Sequence, residues 1–349
     1  MDKIKELFPE TKMTAKTREQ GSGENFIIET LIFIAVFIVV EIAASIPTMV
    51  VGISDIMQNE RVTEAIELFV NGKITFSEYL DIFTAAVLTG RVMLATLFGT
   101  GIATILTILY CRLFEKRKPS TMGFVKSGAL AEYAVGILVG AGLLSAAVGI
   151  CVLTGAFTVT KTANPAWGMV ALFFAGFIIQ GMSEETIFRG FFMVSLSRRS
   201  NLAAAVAVSS IAFGCAHLSN NHVTALAVIN ITLFGAFAGL YILKRGSIWG
   251  ACAIHSLWNF MQGSFYGISV SGSPSIDSVF ITTADPAKTL LNGGAFGIEG
   301  GLAATVVLTA AIIAVSLTKT KRSEIAEPRS DTPQDTQSDS GSAEGEISR

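Results

Sequence analysis

Apolar residues in this chain fill long unbroken runs separated by short polar stretches, in place of the one-sided stripes of surface helices. A spanning helix needs about 20 such residues, because the hydrocarbon core is roughly 30 Å thick and a helix rises about 1.5 Å per residue. Eight runs qualify, at 26–52, 82–111, 130–157, 167–195, 201–219, 222–243, 247–266 and 298–317, the fifth being the shortest and the fourth the most polar. The pattern predicts an all-α, polytopic membrane bundle of about eight transmembrane helices.

The polar remainder sets the outline. Residues 1–25 are polar and mixed in charge, and the apolar run after them is too long for a signal-peptide core, so it reads as an anchor that stays attached. Between the first two runs, Ser54 to Leu80 predicts a short helix, an Asn71-Gly72 turn and a second helix opened by Thr75-Phe-Ser-Glu78, which has capping-box spacing. Arg112 to Glu132 is amphipathic enough to lie along the membrane interface. From 318 to 349 the chain is rich in Ser, Thr, Asp, Glu and Pro, the composition of a disordered tail. The expected organisation is a tail over 1–25, a transmembrane domain over 26–317 and a tail over 318–349. Gly136-x-x-x-Gly140, Gly235-x-x-x-Gly239 and Gly246-x-x-x-Gly250 allow helices to approach closely.

Composition agrees: 51% of residues are hydrophobic and 15% charged, and mean hydropathy is +0.59, which excludes an ordinary soluble globule. Lys and Arg number 25 against 27 Asp and Glu, a net charge of −2 without the basic surplus of a nucleic-acid binder. The cations are placed unevenly. Lys3, Lys5, Lys12, Lys16 and Arg18, then Arg112 with Lys116, Arg117 and Lys118, then Arg198 with Arg199, Lys244 with Arg245, and Lys319 with Lys321 and Arg322 fall at alternate connections. By the positive-inside rule both termini are cytoplasmic, and the protein is expected in the cell membrane. Cys111, Cys151, Cys215 and Cys252 sit singly in apolar stretches and read as small buried hydrophobes.

Ionisable residues inside the runs are the exceptions, each costing on the order of 3 kcal/mol or more at mid-bilayer without a partner, a cavity or a task. Glu41 and Arg91 could pair with each other. The denser group is Glu184-Glu185-Thr-Ile-Phe-Arg189 in the fourth run, Phe213-Gly-Cys-Ala-His217 in the fifth and His255-Ser-Leu-Trp-Asn259 in the seventh. Glu185 and Arg189 share a helix face and can neutralise each other, whereas Glu184, turned by about 100°, is left without a local partner. His255 and Asn259 project together, as do Phe213 and His217. A carboxylate in a low-dielectric cavity can act as a general base on water, and histidine and an amide can donate to an oxyanion. Trp258 and Phe260 read as lipid-facing or packing aromatics, and His222 as a loop-end histidine.

Glu-Glu-x-x-x-Arg, Phe-x-x-x-His and His-x-x-x-Asn, in that order on successive apolar helices, resemble the three motifs of the CPBP family of intramembrane proteases, the CAAX-processing and bacteriocin-processing enzymes also called Rce1-like or ABI proteins. The resemblance covers about Trp167 to Phe260, which would be the protease core. It implies that Glu184 and His217 activate water, that His255 and Asn259 form the oxyanion site, and that Glu185 and Arg189 support the first motif, with Phe213 supporting the second. It also implies a peptide or lipidated-protein substrate met among membrane lipids, either a C-terminal tripeptide after a prenylated cysteine or a leader peptide.

Zinc remains open at this stage. Glu184, His217 and His255 are acceptable ligands, and a metal-free glutamate mechanism uses the same residues; no H-E-x-x-H sequence occurs. Two other readings stand beside the protease: a catalytically silent immunity or scaffold protein, and a transporter component that binds ions at Glu184, Glu185 and Arg189.

Overall fold

A computed structural model describes residues 6–20 and 23–321. The expected tail over 318–349 therefore lies, past Lys321, outside the described residues, as do residues 1–5.

Apolar helices stand where the runs predicted them. They are α2 (Phe26–Met57), α5 (Gly90–Leu113), α6 (Ala129–Leu153), α7 (Trp167–Glu185, continuing as a π-helix over Thr186–Met193 and a last turn at Val194–Leu196), α8 (Leu202–Ala216), α9 (Ala225–Arg245), α10 (Trp249–Phe260, continuing as a π-helix over Met261–Phe265) and α11 (Leu302–Leu317). By length and composition five are long enough to cross a membrane: α2, α5, α6, α7 with its extension, and α9. The molecule is an all-α polytopic bundle, and its exposed helix faces carry Ile, Leu, Val and Phe, as an integral membrane protein requires.

Side by side, α2, α5, α7, α10, α6, α11, α9 and α8 follow one another, and the π-helical part of α7 packs back against α8, closing the arrangement. The α6 and α10 helices approach closely. A methyl on Gly136 would strike the Gly250 carbonyl, and one on Gly140 the Ile254 carbonyl, whereas Gly142 on the same helix faces open space. Gly140→Leu is therefore expected to lower the melting temperature sharply and to displace α10, while Gly142→Leu leaves both unchanged; thermal unfolding of the two purified variants checks this.

One end of the bundle carries a two-stranded antiparallel ribbon, β1 (Phe157–Lys161) paired with β2 (Phe280–Ala284), with Phe157 opposite Ala284. The sequence reading had carried the third span to residue 157. Beyond α2 at this same end stand α3 (Glu60–Val70) and α4 (Phe76–Val87), the predicted helix pair. The capping box is formed: Thr75 N donates to Glu78 at 2.7 Å and Glu78 N to Thr75 Oγ1 at 3.3 Å. Thr75 N, and Thr75 Oγ1 at 2.9 Å, both donate to the Glu78 carboxylate and hold it below its usual range. Because α4 runs on to Val87, the second span begins at Gly90 and not at 82.

Two readings, of charge and of exposure, are corrected. Arg91 does not pair with Glu41; it meets Asp55 at 3.2 Å, since α2 and α5 are antiparallel and Arg91 opens α5 level with the far end of α2. Asp55 and Glu41 are 14 residues apart, about 21 Å of helix. At the opposite end, Arg117 is buried and Arg198 half-buried. Arg117 Nε lies 2.9 Å from Glu115, and Arg198 bridges Glu29 at 2.9 Å and Glu115 at 3.2 Å, because carboxylates on neighbouring segments draw them inward. Cys215 is exposed, on the outer stripe of α8 with Ile211, whereas the other three cysteines are buried; all four are free thiols. One helix was not foreseen: α1 (Lys12–Glu19), within the stretch read as a tail, is capped by Thr11 and packs against the turn at Pro119–Met122.

Candidate active site

The three sequence motifs fall on α7, on the end of α8 and on α10. Side chains from all three border one pocket with about 300 Å³ of space between them, lined by Gln180, Glu184, Phe213, His217, His255, Trp258 and Asn259, among others. The α8 helix stops early. Its 15 residues rise only about 22 Å, less than a hydrocarbon layer of roughly 30 Å, and half-buried His217 caps it.

Motif one is divided as the helix geometry predicted. Glu185 and Arg189 are wholly buried, with Arg189 Nη1 3.3 Å from Glu185 Oε1. The guanidinium lies over the Phe213 ring at 4.3 Å, a cation–π contact that joins motif one to motif two. A methyl on Gly235 would come within 2.8 Å of Arg189 Nη2, so this glycine makes room for the guanidinium as well as for a helix neighbour. The α7 helix changes from α to π geometry at Thr186, immediately after the two glutamates, and all eight π-helical residues are buried. A second π-helical stretch follows Asn259 on α10. Widened turns of this kind are frequent beside functional residues, and nothing in the apolar runs announces them.

Glu184, expected to lack a local partner, has two. Gln180, one turn earlier on the same face, donates a short hydrogen bond to Oε1. His255 Nε2 lies 3.5 Å from Oε2. Gln180 also accepts from Asn259 Nδ2 at 2.8 Å, so one glutamine links motif one to motif three. The sequence reading missed it, although a polar residue four positions before a glutamate in an apolar helix is a legible signal.

Each histidine has one ring nitrogen fixed. His255 Nδ1 is 2.9 Å from Glu185 Oε1, an acceptor, so this nitrogen carries the proton and Nε2 points to Glu184. The flanking carboxylates of Glu184 and Glu185 complement an imidazolium at this position. His217 Nδ1 is 2.8 Å from the Phe213 carbonyl, which can only accept, so in the neutral ring Nε2 is left as an acceptor. Aromatic rings set the planes: Phe213 stands edge-on to His217 at 4.9 Å, and Phe234 to His255 at 4.9 Å. His222 lies in a turn with φ +58° and does not line the pocket.

Trp258, read as a packing or lipid-facing aromatic, is buried and borders the pocket. Two further lining residues, Ser271 and Glu299, come from the segment between α10 and α11. Sequence reasoning passed over both: Ser271 lies in a connection without motif or periodicity, and Glu299 stands at the edge of the run read over 298–317, whose helix begins only at Leu302.

Although Glu184, His217 and His255 face one pocket, no three His, Cys, Asp or Glu side chains among the described residues come together as a group that could hold a metal ion. The two Nδ1 hydrogen bonds orient the rings for either role. As arranged, the three do not make a zinc site.

Residues 164–261 match the family described as type II CAAX prenyl endopeptidase Rce1-like. No curated protein and no solved structure matches the chain. The matched segment spans the α7, α8, α9 and α10 helices and holds all three motifs, so over this part the chain is similar to the Rce1-like family.

Proposed function

We propose that this protein is an intramembrane endopeptidase that hydrolyses a peptide bond with water activated by Glu184 and His217. The observation that carries this reading is the meeting of Glu184, His217, His255 and Asn259, drawn from three helices, around one pocket. Glu184 takes a proton from water, and His217 Nε2 accepts the water's other hydrogen. As the water oxygen adds to the carbonyl carbon, His255 Nε2–H and the second Asn259 amide hydrogen donate to the developing oxyanion, the first being engaged by Gln180. Glu184 then returns its proton to the leaving amine. Glu185 and Arg189 act through His255 and Phe213, holding rings and not substrate.

The similarity of residues 164–261 to the Rce1-like family favours a peptide or prenylated protein reaching the pocket from the membrane, cut near its C-terminus. The alternation of Lys and Arg clusters supports placing both termini on the cytoplasmic side.

Protein reconstituted in liposomes and given a farnesylated CAAX-type peptide in ¹⁸O-water tests the reading. One ¹⁸O should enter the new carboxylate, and no covalent enzyme–peptide adduct should form. Activity should also persist through dialysis against a strong chelator. Absence of cleavage, or an acyl-enzyme, overturns the reaction; stoichiometric zinc lost together with activity overturns the metal-free step.

A further inference from the structure

Glu299 lies just before α11, outside every motif, and lines the same pocket as Glu184. Four donors converge on it. Ser271 donates from N and from Oγ to Oε2, each at 2.8 Å, and Gln262 Nε2 stands 3.4 Å from the same oxygen. Trp258 Nε1 is 3.3 Å from Oε1. A carboxylate is an acceptor-only group with about four lone-pair sites, and this is the donor set such a group takes. Three donors crowd Oε2 and one meets Oε1, so the remaining acceptor capacity is on Oε1.

No cation balances it. Among the described residues no Lys, Arg or His lies within ion-pair distance of Glu299, whereas Glu185 has Arg189 and Glu184 has His255. The site is also built at some cost. Ser271 adopts φ +47°, a left-handed conformation that few residues other than glycine take. Its carbonyl accepts from Asn220 Nδ2 at 2.9 Å, three residues past His217. The Glu299 carbonyl accepts from Asn230 Nδ2 at 2.7 Å. Segments from α8, α9 and α10 thus combine to present one uncompensated carboxylate to the pocket.

We propose that Glu299 determines substrate specificity, selecting peptides that carry a basic side chain beside the scissile bond. This rests on the peptidase reading above and adds a charge preference to it. A cation entering a partly enclosed pocket that already holds an unpaired negative charge is favoured over a neutral group, and an anion is opposed.

The test uses reconstituted full-length protein and farnesylated peptides identical but for one residue, Lys, Met or Glu, placed in turn at the two positions that follow the cleaved bond. At one of these positions wild type should show kcat/KM in the order Lys, Met, Glu, with Lys and Glu apart by about tenfold or more. Glu299→Gln should bring the Lys/Glu ratio close to one. Ser271→Ala, which removes one donor and keeps the charge, should retain the wild-type ratio. If Glu299→Gln slows all three peptides equally, or if Ser271→Ala erases the ratio as fully as Glu299→Gln does, Glu299 only braces the turn and the proposal is overturned. Should Glu299→Gln not fold, the wild-type order decides alone, and indifference to charge overturns it. Failure of wild type to cleave any peptide sinks the peptidase reading, and this inference with it.

Discussion

Glu184→Gln is expected to abolish peptide cleavage, by about a thousandfold or more, with the melting temperature within a degree or two of wild type. The amide keeps the size of the carboxyl group and one acceptor for Gln180, so the network around it loses little. What it loses is the ability to take a proton from water and return it to the leaving amine. His217→Ala should fall by a smaller factor, about a hundredfold, because it accepts only the second hydrogen of the water. The comparison separates the protease from its rivals. A silent scaffold or a transporter component has no cleavage for Glu184→Gln to remove, and any residual cleavage in such a preparation would be indifferent to the substitution. Cleavage unchanged in a folded Glu184→Gln variant would end the hydrolytic reading.

The second large effect concerns stability. Arg189→Met removes the guanidinium from a pair in which neither side chain meets solvent, leaving the Glu185 carboxylate buried beside Thr186–Met193 with only His255 against it. Breaking a buried pair from one side costs about 3–5 kcal/mol, so the variant should unfold many degrees below wild type or fail to accumulate. Adding Glu185→Gln to it removes the stranded charge, and most of the melting temperature should return. Activity should not, because His255 Nδ1 then faces an amide in place of the carboxylate that fixes its proton. Thermal unfolding and cleavage, measured on the same three preparations, would therefore part company. If the double variant is no more stable than Arg189→Met, the pair is not what holds this part of the bundle.

How far the chain was legible depended on the range of the interaction involved. Apolar runs report on the solvent each helix meets, a property of the run alone, and the eight helical segments stand where the runs lie. The Glu185 and Arg189 pair was visible for the same reason, being a contact within one helix. The partners of Glu184 were not, since His255 arrives from a helix about 70 residues later. Gln180 was within reach and was overlooked among apolar neighbours. Arg117 shows what a cluster of cations leaves unsaid: only the packing of Glu115 and Ser195 reveals that this one is buried. Ser271 and Glu299 offer no local pattern at all; their place at the pocket follows from how the connection from α10 to α11 folds back over the ribbon end.

The shortness of α8 has a consequence for the lipid as well as for the site. Its outer stripe of Ala207, Ile211 and Cys215 faces away from the bundle, and an apolar segment of about 22 Å cannot match a hydrocarbon layer of roughly 30 Å. On that side the acyl chains must shorten or the headgroups must dip, at a fraction of a kcal/mol for each ångström of mismatch. Around α2, whose 32 residues exceed the layer, no such adjustment is required. A bilayer around this protein would then be lopsided, thinnest beside the helix that ends in His217, and the thickness of the host membrane would be a variable to which the proposed chemistry is tied.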